Sequence, residues 1–130
     1  MQRQLGAVCC ESSLVMLFFP ARRARMSDAV LLLSTCPDAG SAARIARALV
    51  EERLAACVNR VPGLTSIYCW RGEIHENGEV LLLIKSTRDR LESLRTRLIE
   101  LHPYEVPELI ALEIAAGHVP YLDWLREQTV

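Results

Sequence analysis

Within seven residues, His102-Pro103-Tyr104-Glu105-Val106-Pro107-Glu108 gathers an imidazole, a phenol, two carboxylates and two prolines. The imidazole can ligate a metal or carry a proton, and the phenol and carboxylates can hydrogen-bond a polar ligand. Each proline fixes its own φ and biases the preceding residue away from the α region, so the loop is stiff. Stiff polar loops on small scaffolds are where function concentrates.

The soft metal donors along the chain are Cys36, Cys57, Cys69, His75, His102 and His118. Copper(I) favours thiolate, and imidazole suits copper and zinc. Cys36 lies just past the first strand pattern, beside Pro37, and His102 ends the second helix pattern. Those two ends can approach across a sheet or across a subunit boundary. Cys57 and Cys69 fall inside strand patterns and read as small buried apolar residues. His75 reads as a solvated turn residue and His118 as a loop residue. His102 has a second reading, as a partner for the last carbonyls of its helix. Tyr68 and Trp70 share one strand face. They read as core or subunit contacts, with ligand stacking as the alternative. Lys85 ends an apolar strand and can pair with Glu105 or Glu108. No dinucleotide fingerprint, phosphate-binding loop, His-Glu-x-x-His, Gly-x-Ser-x-Gly or Cys-x-x-Cys is present. No nucleophile–base pair can be named, so no enzyme is expected.

The elements that position these residues follow from hydrophobic periodicity. Ala29 to Ser34 is a buried strand. Ser41 to Leu54 is an amphipathic helix, with Asp38 or Ser41 as N-cap. Ala56 to Ile74 is strand-prone and bends at Pro62-Gly63. Asn77-Gly78 is a tight-turn signal. Val80 to Lys85 is a strand apolar on both faces, so residues 56–87 form a long bent hairpin. Leu91, Leu94, Leu98 and Leu101 mark a second helix, ended by His102-Pro103. Leu109 to Ala115 is a further strand, and Pro120 opens a short terminal helix. The order is β-α-β-β-α-β plus a C-terminal helix: an α+β, ferredoxin-like subunit with two helices on one sheet face. The other face is apolar and needs cover. A homo-oligomer packed through that face is expected, with the hairpin or the last helix folding over it as the alternative.

The 130 residues suit one core. A net charge of −1 offers no basic field for nucleic acid. Residues 1–26 read as an extension, either disordered or set upstream of a true start at Met26. Residues 27–130 form the domain. The apolar run Leu14 to Phe19 is too short to span a bilayer, so no membrane partner is expected. Five cysteines without framework spacing argue for free thiols in a reducing compartment.

Several segments together resemble the CutA divalent-cation tolerance proteins. They are Ser34-Thr35-Cys36-Pro37-Asp38, Glu52 to Asn59, Pro62 to Ile74, Glu79 to Lys85, His102 to Glu108, and Tyr121-Leu122-Asp123-Trp124-Leu125. The resemblance runs in order over about residues 29–127. It implies a ferredoxin-like subunit in a tight homotrimer, cytoplasmic, with a part in tolerance of copper and other divalent metals. Copper or another divalent metal is the implied cofactor, and no organic cofactor is expected. In members credited with copper binding, the ligands are a first-strand cysteine and histidines just before the Pro-Tyr pair. His102 matches the histidine adjoining the proline, and Leu101 stands where a second one would be. The first-strand cysteine position corresponds to Ser34, with Cys36 two residues later on the same strand face. The leading expectation is therefore a non-enzymatic, metal-responsive trimer binding copper through Cys36 and His102. The alternatives are a small-molecule sensor or a structural scaffold. For the sensor, an inter-subunit cleft would be lined by Tyr68, Trp70, Lys85, Tyr104 and Glu108.

Overall fold

The computed structural model describes residues 28–130. The extension at 1–26, with Cys9 and Cys10, lies outside the described residues. Strand β1 (Ala29–Cys36) leads to helix α1 (Ala39–Glu51), then to the hairpin β2 (Cys57–Trp70) and β3 (Glu73–Thr87). A short 3₁₀ turn precedes helix α2 (Leu91–Leu101), followed by β4 (Ile110–Glu113) and helix α3 (Val119–Gln128). The sheet order is β2-β3-β1-β4 and every pairing is antiparallel. This is the expected ferredoxin-like arrangement.

Alternation along the strands divides the sheet into two faces. Val30, Leu32 and Cys36 of β1 and Val80, Leu82 and Ile84 of β3 point to one side. There they pack against Ala42, Ile45 and Leu49 of α1 and Leu94 and Leu98 of α2. Helix α1 starts where Asp38 accepts hydrogen bonds from the backbone N–H and the hydroxyl of Ser41, at 2.7 and 2.9 Å. Those two bonds hold the Asp38 carboxyl below its usual range.

The opposite face is only partly covered. Helix α3 seats Leu122 and Leu125 against Ala29 and Ala56, at one end. Beyond it run Leu31, Leu33, Leu81 and Leu83, half-buried, flanked by Ile110 and Leu112, which are about half exposed. The register places Leu33 between Leu83 and Ile110, so these side chains form one apolar band.

The hairpin differs from the expectation in its turn. The connection is Arg71-Gly72, both at positive φ (51° and 82°), the backbone a two-residue hairpin loop requires. Asn77 and Gly78 lie within β3, opposite Ser66 and Thr65. Pairing along the whole hairpin, from Cys57–Lys85 to Trp70–Glu73, sets the register, and it overrides the local Asn-Gly preference. His75 is consequently a strand residue, not a turn residue. The expected bend at Pro62-Gly63 is present as a register shift between Val61 and Leu64.

Candidate functional site

Ser34, Thr35 and Cys36 close β1 where the His102–Glu108 loop crosses it. The Ser34 hydroxyl donates to the Glu108 carbonyl at 2.7 Å, which ties the loop's far end to the strand. At the near end, the Tyr104 backbone N–H donates to His102 Nδ1 at 3.1 Å. Nδ1 is therefore unprotonated, and Nε2–H donates to the Thr35 carbonyl at 2.8 Å. The imidazole serves β1 rather than the last carbonyls of its own helix.

Cys36 and His102 do come together: Cys36 Sγ lies 3.9 Å from His102 Nε2. Both are buried. Burial, followed by the charges of Glu79 and Asp38, pushes the Cys36 thiol up to about 11. A thiol ligates as thiolate and imidazole through a free nitrogen lone pair. Here the thiol keeps its proton and both ring nitrogens are committed. Among the described residues, no group of three or more His, Cys, Asp or Glu side chains converges as a ligand set. As folded, the pair does not fit a divalent ion, which in a closed protein site takes about four ligands or more.

Beside the pair lies a second cluster. The Tyr104 hydroxyl donates to Glu79 at 2.7 Å, and its ring sits 5.0 Å from that of His102. Glu79 is only 7% exposed. Burial and this hydrogen bond raise the Tyr104 phenol well above its ordinary range. Glu79 was not among the residues singled out in the sequence. One carboxylate ahead of an apolar run carries no pattern, and its partner is 25 residues away.

Glu79 and Tyr104 form part of the wall of a cleft of about 510 Å³ between the far end of the hairpin and the loop. Tyr68, Trp70 and Glu108 line it too, with Thr35 and His75. Four of the five residues expected to line an inter-subunit cleft are thus brought together within one subunit. Lys85 is not: it sits further along β3, paired across strands with Leu31 and Cys57, and its ammonium donates to Asn59. Glu105 pairs with Arg71 at 2.8 Å instead. Tyr68 and Trp70, read as core or contact residues, are about 40% exposed in the subunit and face the cleft. Tyr68 stacks on His75, with ring centroids 5.4 Å apart, and accepts a hydrogen bond from Asn77 at 2.8 Å. Cys57 is half-buried and Cys69 exposed, so neither is the core residue its strand position suggested.

The CutA1 divalent ion tolerance protein family model matches residues 30–128. The divalent-cation tolerance protein CutA of Thermus thermophilus is 58% identical over 104 residues, 80% of this chain and 99% of that protein. Its solved structure superposes with a TM-score of 0.77 at 57% identity, covering 78% of this chain and 99% of that one. Human protein CutA is 50% identical over 95 residues, 73% of this chain and 53% of that longer protein. The structure of the PII-like protein CutA from a Nostoc species, in apo form, gives a TM-score of 0.73 at 40% identity, covering 78% and 97%. The sheet order, the tethered loop and these matches lead to one conclusion: the chain belongs to the CutA1 divalent ion tolerance protein family.

Proposed function

We propose that the chain serves divalent-cation tolerance as a non-enzymatic, cytoplasmic homotrimer that responds to a ligand held in the cleft. The observation that carries this reading is the cleft itself. Its volume falls within the range of small-molecule sites, and a loop tethered at both ends walls it. Such a wall is preorganised, so little ordering opposes binding. The trimer is supported by the apolar band left open beside α3, an area that monomers seldom leave in water. A non-enzymatic role is supported by the state of Cys36. It is the one thiol in contact with an imidazole among the described residues, yet it is buried and protonated.

A thermal-shift screen of metal ions, nucleotides, amines and organic acids tests this reading. At least one compound should raise the melting temperature of the wild type and fail to raise that of Trp70→Ala. Hits that shift both proteins equally would contradict it, as would a screen without hits.

A second reading is copper(I) capture by Cys36 and His102. The 3.9 Å approach of two soft donors favours it. It requires the thiol proton to leave and Nε2 to give up its bond to Thr35. Titration of reduced protein with copper(I) against a chelating competitor tests it. Wild type would have to bind more tightly than both Cys36→Ser and His102→Ala.

A further inference from the structure

The cleft's lining is one-sided in charge. Glu79, Glu105 and Glu108 contribute carboxylates, and among the described residues no lysine or arginine lines it. Glu105 is paired with Arg71, and Glu79 accepts from Tyr104. Glu108 has no ion-pair partner among the described residues; only its backbone carbonyl is engaged, by Ser34. Among the described residues, the one lining group able to become positive is His75, whose ring is stacked on Tyr68. An anionic ligand would meet more carboxylates than cations, since the nearby Arg71 guanidinium is already paired with Glu105.

Aromatic side chains form another part of the wall, beside Thr35, Ser66, Ile67 and Val106. Tyr68, Trp70 and Tyr104 all contribute, and the face of an aromatic ring attracts cations. The protein already uses this surface so. Arg71 places its guanidinium 5.4 Å from the Trp70 ring centroid while donating to Glu105 at 2.8 Å. A cation held between a ring face and a carboxylate thus stands at the cleft's edge. The carboxylates do not converge as metal ligands. Recognition therefore falls to the ring faces with one or two charges nearby. That chemistry suits a large, weakly hydrated organic cation better than a metal ion, which demands several oxygens at short range.

We infer that the cleft between the β2–β3 hairpin and the His102–Glu108 loop binds an alkylammonium ion, held against the rings of Tyr68 and Trp70 beside the stacked His75 and Arg71, and by the carboxylate of Glu108. This rests on the cleft being the ligand site and adds the ligand's chemical class.

Calorimetric titration of the full-length protein in its native assembly tests it, using three probes. These are choline, its uncharged isostere with carbon in place of the quaternary nitrogen, and ATP. Choline should bind saturably, and the isostere roughly three- to thirty-fold more weakly. ATP should bind less tightly than choline. Trp70→Ala and Glu108→Gln should each weaken choline by about three-fold or more, with unchanged circular dichroism. Both side chains are substantially exposed, so neither change threatens the fold. Failure of choline to bind overturns the inference. So does equal binding of choline and the isostere, or tighter binding of ATP; if Trp70→Ala still weakens the favoured probe, the cleft remains the ligand site. Choline binding that survives both substitutions places it elsewhere, and overturns the inference and the cleft reading together.

Discussion

His102 touches Cys36 across 66 positions of sequence, yet its ring is spent on backbone: Nε2–H on the Thr35 carbonyl, Nδ1 on the Tyr104 N–H. With Ser34 holding Glu108, this makes the end of β1 an anchor for the whole polar loop. In the proposed reading the ligand surface is the cleft in front of the loop, and the buried pair behind it is a clasp.

The thiol of Cys36 should behave as a core group. Its folded value is raised from an ordinary 9.0 to about 11, so the unfolded chain ionises first as pH climbs. The stabilisation from the protonated thiol is complete below pH 9 and is lost as pH rises towards 11, a change of about 2–3 kcal/mol. Urea unfolding on either side of that window should show the loss, and Cys36→Ala should lack that part of it. Alkylation at neutral pH, followed by peptide mapping, should label exposed Cys69 well before Cys36.

Tyr104→Phe removes the hydroxyl that donates to buried Glu79. A hydrogen bond to a charged group is worth about 1.5–3 kcal/mol. Chemical denaturation should show a loss of that size. Tyr104→Phe combined with Glu79→Leu should recover part of it, because no carboxylate is then left without a donor.

Two of the hairpin glycines, Gly72 and Gly78, should respond oppositely. Gly72 stands at φ +82°, so Gly72→Ala should cost about 1–2 kcal/mol. Gly78 sits in β3, and an added Cβ meets nothing nearer than the Leu64 carbonyl at 3.9 Å. Gly78→Ala should be neutral or stabilising by about 0.5 kcal/mol. Denaturation midpoints decide it; the reverse order would return the turn to Asn77-Gly78.

Those glycines also mark where local signals stop being informative. The element order was legible because each strand and helix carries its own periodicity, from the apolar Val80–Ile84 to the Leu91, Leu94, Leu98 and Leu101 stripe. The turn was not, because register belongs to the whole hairpin and Asn-Gly is only one local vote. The approach of Cys36 to His102 could be foreseen, since both stand at element ends on one side of the sheet. Lys85 stands further along β3, because its place follows from the register of the whole hairpin and not from its position at the end of the apolar run. Glu79 escaped notice because its burial is tolerable only with Tyr104 opposite, and that pairing exists only in the fold.

The open sheet face should hold the assembly. Ile110 and Leu112 are about half exposed in the subunit and extend the Leu33–Leu83 band. Light scattering should give the wild type a trimer mass. Ile110→Asp with Leu112→Asp should shift it towards monomer, since buried uncompensated carboxylates are costly. A trimer that withstands both changes would move the interface elsewhere.

The division between clasp and cleft is tested most directly by titrating reduced protein with copper(I) against a chelating competitor, using wild type, Cys36→Ser and His102→Ala. Equal affinities are expected in all three, because the thiol keeps its proton and the imidazole is committed to Thr35 and Tyr104. A ten-fold or greater loss in both variants would contradict this and make Cys36 and His102 the metal site.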